Sequence, residues 1–112
     1  MVRPRRIRRI FYQPEVTFFK PASVPMANLE EILINFEEIE AIRLIDSENL
    51  DQKKAAKKMK ISQSTLSRLI KEGRRKISNA IVNGQAIKIK GGTFKMIKTR
   101  GGRFRAPSKG GH

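Results

Sequence analysis

The chain has 112 residues, with 25 lysines and arginines against 10 acids and a formal net charge of +15. Such a charge opposes the compact state of one small domain through self-repulsion, so a polyanion is the expected partner: nucleic acid first, an anionic membrane surface second. With no cysteine, disulfides, thiolate metal sites and a cysteine nucleophile are excluded.

No apolar run approaches the roughly 18 residues of a spanning helix, and the N-terminus lacks the apolar core of a secretion signal. We therefore expect a cytoplasmic protein with no membrane partner. His112 is the only histidine and is terminal, so it gives no basis for catalysis or metal binding. Charge is unevenly spread. Glu30, Glu31, Glu37, Glu38, Glu40, Asp46, Glu48 and Asp51 crowd one stretch in which Arg43 is the only base. The basic residues fill the first ten positions, the centre and the end. That pattern suggests one side for phosphate and another for solvent or a positive partner.

Residues 1–14 read as a basic arm, with Arg5, Arg6, Arg8 and Arg9 placed to follow a nucleic-acid backbone or enter a minor groove. Pro14 and Pro21 bound a short strand over about residues 15–20. Phe11, Tyr12, Phe18 and Phe19 could stack single-stranded bases, but a three-helix unit this small needs apolar cover, and core is the preferred reading. A second strand falls at about 31–34. Asn35 with Glu38 three residues later forms a capping box for a helix over about 36–46. Glu40, Arg43 and Asp46, spaced by three, can pair along its surface, and the carboxylates are expected to form a solvated face rather than a metal or acid–base site.

Asp51 to Lys71, DQKKAAKKMKISQSTLSRLIK, carries the strongest signal. Asp51 caps one helix (51–59). Ser62 caps a second (63–83), and about three residues separate them, as a helix-turn-helix requires. Ala56, Ile61, Leu66 and Leu69 face inward. Gln63, Ser64, Ser67 and Arg68 face outward at the start of the second helix, where such units meet base edges. Gln suits adenine and Arg suits guanine. Lys53, Lys54, Lys57, Lys60 and Lys71, with Ser62, Thr65, Arg74 and Arg75, are candidates for phosphate contact. Lys60 occupies the turn position where glycine is common, so it either takes a left-handed backbone at roughly 1 kcal/mol or the turn changes shape. The apolar stripe Leu66, Leu69, Ile70, Ile77, Ala80 and Ile81 continues to a stop at Gly84. Gly73 interrupts it, implying close packing or a bend. The distal half of this helix is then free to pack on strands or on a second subunit, and a homodimer is expected. A third strand follows at about 86–90 and can join the other two in a small sheet. Residues 93–112 are Gly-rich and basic and are expected to be disordered.

The blocks RPRRIRR, PEVTFFKPA, EEIEAIRLID, DQKKAAKKM, ISQSTLSRLI and RRKISNAIVNGQAIKIKGG, in that order, resemble the small basic proteins of domain-of-unknown-function family 134, predicted DNA-binding proteins. The resemblance covers roughly residues 3 to 92. Its helical part is also similar to region 4 of bacterial sigma factors. It implies that the helix from Gln63 onward is a recognition helix. The family pattern places cysteines near Phe11 and Tyr12, glycine in the turn and alanine in the third helix; this chain has no cysteine, Lys60 and Gly73. The expectation is a mainly α protein with a small β-sheet: a three-helix helix-turn-helix core flanked by short strands, with a basic N-terminal arm and a flexible C-terminal tail. Its expected function is sequence-selective binding of double-stranded DNA in transcription regulation, with no cofactor and no catalysis. RNA or ribosome binding is the alternative, and a nuclease using the carboxylates comes third.

Overall fold

The computed structural model describes residues 8–92 and 94–96. Three helices carry the fold: α1 (Phe36–Ile42), α2 (Gln52–Met59) and α3 (Gln63–Asn83). Each begins where the sequence supplies an oxygen for the free backbone N–H groups. Asn35 Oδ1 accepts from Glu38 N at 2.8 Å while the Glu38 carboxylate accepts from Asn35 N at 3.0 Å, which completes the capping box. Asp51 Oδ1 accepts from Lys54 N at 2.8 Å, and Ser62 Oγ from Thr65 N at 3.1 Å. Helix α1 is shorter than expected. A π-helical turn over Arg43–Ser47 follows it, in which Glu48 N donates to Arg43 O at 2.8 Å. Asn49, at φ 60°, then reverses the chain in a conformation that asparagine tolerates.

Five short strands complete the chain: β1 (Arg8–Ile10), β2 (Phe18–Phe19), β3 (Glu31–Ile34), β4 (Ala86–Ile89) and β5 (Phe94–Met96). The mainly α fold with a small β component is as expected, and so is the union of three strands in one sheet. Its order is β2-β4-β3, with β4 antiparallel to β2 and parallel to β3. The register sets Glu31 beside Ala86 and Ile34 beside Ile89. All three helices therefore lie in the crossover between two adjacent parallel strands, and β3 and β4 hold their two ends together.

Three expectations are corrected. The strand foreseen over 15–20 reduces to Phe18–Phe19, with Thr17 O still accepting from Ile89 N of β4 at 2.8 Å. Arg8–Ile10 is not a free arm, and Phe94–Met96 is not tail. They pair as parallel strands, Arg8 beside Phe94 and Ile10 beside Met96, and Ile10 is fully buried. Ile10 anchors the segment in the core together with the β5 pairing and the Arg8–Glu37 ion pair. The expected arm residues Arg5 and Arg6, and tail residues 97–112, lie outside the described residues.

The main core joins Ile10, Ala41, Leu44, Ala55, Ala56, Met59, Leu66 and Ile70, with Ile61, Leu69, Leu50, Phe36 and Phe94 packed around it. Alanines at the crossings let α1, α2 and α3 approach closely. Gly73 does the same for α3 against α1: a Cβ there would lie 2.6 Å from Ile42 Cδ1 and 3.4 Å from Glu38 Cβ. Close packing accounts for this glycine, and α3 continues through it to Asn83.

The acids of α1 are the fourth correction. Glu37, Glu38 and Glu40 are buried, not a solvated face. Each meets a base from a different element. Glu37 pairs with Arg8 of β1. Glu38 accepts from Lys76 Nζ of α3 at 2.9 and 3.1 Å. Glu40 takes both the Nε and the NH2 of Arg43 at 2.9 Å, and also the Phe11 N–H at 2.8 Å.

Candidate nucleic-acid interface

Helices α2 and α3 meet through the turn Lys60–Ile61–Ser62. Lys60 has φ 61° and ψ 46°, the left-handed region, and its N–H closes α2 on Ala56 O and Lys57 O. Ile61 N donates to Ala56 O at 3.0 Å, and the Ile61 side chain packs on the core. The turn thus keeps the shape that glycine usually provides, with a lysine in it.

Beyond the turn, the first two turns of α3 divide cleanly. Leu66 and Ile70 are buried and Leu69 half-buried, whereas Gln63, Ser64, Ser67, Arg68 and Lys71 are exposed. Thr65 is half-buried; its Oγ1 accepts from Ser62 Oγ at 3.0 Å and from Arg68 NH2 at 3.4 Å. Ser62 Oγ also lies 3.1 Å from Ser64 Oγ. The tip therefore presents an amide, hydroxyls and a guanidinium, with no carboxylate among them. Lys53, Lys54, Lys57 and Lys60 are exposed along α2 and the turn. The described phosphate candidates and the base-reading candidates share one two-helix unit, apart from Arg8 and Arg9 of β1.

Arg8 is tied to buried Glu37, which takes it out of an arm's role. Arg74 is held by Asp46 through a forked pair at 3.1 and 2.6 Å. Arg75 bonds Glu72 at 2.8 Å. The hydrogen bond from Arg74, and its charge, hold the Asp46 carboxyl below the usual aspartate range; the hydrogen bond from Arg75 does the same to Glu72. Burial would lower the Arg43 pKa, but the hydrogen bond and charge of Glu40, with Glu48 behind it, overcome burial and raise it. Burial, helped by the charge of Glu15, raises the Tyr12 hydroxyl.

A hollow of about 330 Å³ runs beside α3, lined by Gln52, Ser67, Ile70, Lys71, Arg74, Arg75 and Ser78. Gln52 and Ser78 are additions to the residues expected from sequence. The spacing of Ser67, Lys71, Arg74 and Ser78, by four, three and four, would have exposed the stripe. Gln52 opens α2, where unpaired backbone N–H groups favour an anion.

The family described as "Protein of unknown function DUF134" matches residues 1–97. The chain belongs to this family. Among relatives of this DUF134 chain is a UPF0251 protein of Caldanaerobacter subterraneus, 46% identical over 96 residues, covering 86% of this chain and 81% of the relative. A UPF0251 protein of Thermoanaerobacter sp. (strain X514) is 45% identical over 98 residues, covering 88% and 87%. One of Syntrophomonas wolfei is 46% identical over 96 residues, covering 86% and 74%. No solved structure matches the chain. The family match ends at residue 97, just past β5, so it takes in both sheets and the helix-turn-helix as one unit.

Among the described residues of this DUF134 protein no group of three or more His, Asp or Glu could hold a metal. No helix of the described residues is long and apolar enough to cross a membrane.

Proposed function

We propose that the protein binds double-stranded DNA with sequence selectivity through its helix-turn-helix and acts in the cytoplasm as a transcriptional regulator. The observation that carries this is the tip of α3: Gln63, Ser64, Ser67 and Arg68 stand exposed at the start of a helix whose other side is buried. A helix so presented fits the major groove, where glutamine can address adenine and arginine guanine. The hollow between Gln52, Ser67 and Lys71 is suited to a backbone phosphate, with the α2 N-terminus at its edge. Lys53, Lys54, Lys57 and Lys60 extend the positive surface. If six to ten phosphates are neutralised, affinity falls by about 10³ to 10⁵ between 50 and 200 mM salt.

On this reading the protein is not an enzyme. Glu38 and Glu40 serve Lys76 and Arg43 rather than a reaction. A two-fold operator calls for two copies. Phe19, Ile81 and Val82 expose apolar surface that a second copy can cover, so the expected dimer uses the distal half of α3. Ile81, foreseen on the core stripe, is 72% exposed, which leaves it free for this purpose.

The test is a competition assay on a panel of duplexes at fixed salt, with structured RNA as a further competitor. Arg68→Ala should flatten preference among duplexes, a loss of about 1–3 kcal/mol on the preferred one, whereas Lys57→Ala should weaken all duplexes alike. Equal losses on every duplex for both variants would remove the base-reading role, and RNA outcompeting every duplex would transfer the function to RNA.

A further inference from the structure

A second hollow, of about 390 Å³, opens between β1 and α2 and is lined by Arg9, Phe11, Leu50, Lys54, Lys57 and Lys58. That volume lies at the lower end of the range of about 300–1,000 Å³ for small-molecule sites. Its chemistry has two parts. Phe11 and Leu50 form an apolar floor, and every ionisable group in the lining is a cation. Carboxylates on adjoining elements are engaged elsewhere: Glu40 with the Phe11 N–H and Arg43, and Asp51 with the Lys54 N–H. Phe11 is half-buried, and Lys58 Nζ stands 4.6 Å from its ring centroid, so this ring face already attracts a cation. Arg9 Nε is sealed from solvent and has no hydrogen-bond partner among the described residues, a donor left unanswered beside the hollow.

We propose that this hollow binds a nucleotide, with its base on Phe11 and Leu50 and its phosphate on Lys54, Lys57 and Lys58. A bare inorganic anion would leave the floor uncovered, and an uncharged aromatic would leave the rim unanswered. A flat ring joined to a phosphate meets both. The incoming base takes the Phe11 face, and the flexible Lys58 stem turns its ammonium onto the phosphate. Stacking of this kind tolerates any base, so the nucleotide is either free or one unit of a single strand. Lys54 and Lys57 also belong to the proposed duplex surface, but the assignment does not rest on duplex binding.

The experiment is calorimetric titration of the full chain, without duplex DNA, using AMP, ATP, tripolyphosphate and a short single-stranded oligoadenylate. Saturable binding is expected, with ATP at least about tenfold tighter than tripolyphosphate and a loss of about tenfold in both Phe11→Leu and Lys58→Ala. Lys90→Ala, outside the lining, should bind as the parent does. Phe11→Leu retains most of the apolar bulk, and circular dichroism before titration establishes that each variant is folded. Saturation by AMP or ATP identifies a free nucleotide. Saturation by oligoadenylate alone, still sensitive to Phe11 and Lys58, identifies a unit of a strand. Absence of saturable binding, equal affinity for ATP and tripolyphosphate, or no loss in either variant overturns the proposal. Because no duplex is present, such a failure leaves the reading of α3 untouched.

Discussion

Lys60 shows how much one backbone angle carries. Its φ of 61° sets the direction in which α3 leaves α2, and a residue with a Cβ adopts that angle at a cost of roughly 1 kcal/mol. Lys60→Gly should therefore raise the free energy of unfolding in urea by up to about 1 kcal/mol; a loss of stability would mean that the lysine side chain contributes contacts exceeding its strain. Asp46 offers a pH test. Its pKa is lowered in the folded chain by the hydrogen bond from Arg74. The sign follows: the contribution is complete above the ordinary aspartate value, near 4, and is lost as pH falls through the lower folded value. Both side chains are about half exposed, at 54% and 42%, so the pair is worth less than about 1 kcal/mol. Urea unfolding should show Asp46→Asn slightly less stable than the parent at neutral pH, with the gap closing as acid protonates the Asp46 carboxylate. A gap that persists in acid would assign the effect to something other than the ionised pair.

At the scale of elements, the unusual feature is α1, a helix whose acids point inward. Glu40 is fully buried and Arg43 is 21% exposed, and removal of one member of such a pair leaves an uncompensated charge. Glu40→Ala should destabilise the protein by about 3–5 kcal/mol, read as a large fall in thermal midpoint; a change below about 1 kcal/mol would mean that water reaches Arg43 freely. The sequence made the local devices legible. Asn35, Asp51 and Ser62 cap helices, Gly84 stops one at φ 64°, and the alanines of α2 announce the crossing with α3. Those signals act within four residues of where they are read. The burial of Glu37 and Glu38 was not legible, because their partners Arg8 and Lys76 lie 29 and 38 positions away. Glu40 could be paired with Arg43 from spacing, but its burial could not be read, since the acids' spacing fits a solvated face equally well. The pairing of β1 with β5 was hidden for the same reason: three-residue strands inside basic segments carry almost no periodicity. In the candidate site, the outward set Gln63, Ser64, Ser67 and Arg68 was readable from helical phase. That Arg74 is held by Asp46 was not, since the pair depends on how the π-helical turn meets α3; Arg75 with Glu72 is an i, i+3 pair within α3 that spacing alone allows.

On the scale of the whole molecule, the parallel pair β3 and β4 closes the three helices into one loop of structure, and β1 with β5 closes a second seam over α1 and α2. Glu37, Glu38 and Glu40 are drawn toward that interior while the lysines of α2 and the tip of α3 remain outside. A chain of net charge +15 thus concentrates its unpaired described cations on the helix-turn-helix, where a duplex would be met. The central claim is that the polar tip of α3 reads bases and does more than adhere to phosphate. Selection of duplexes from a random pool by the full chain, repeated with Arg68→Ala, addresses it most directly. The account predicts enrichment of a defined site by the parent chain, with preference at its guanine positions lost in the variant. A pool that stays random through successive rounds, or enrichment that is identical with Arg68→Ala, would contradict it.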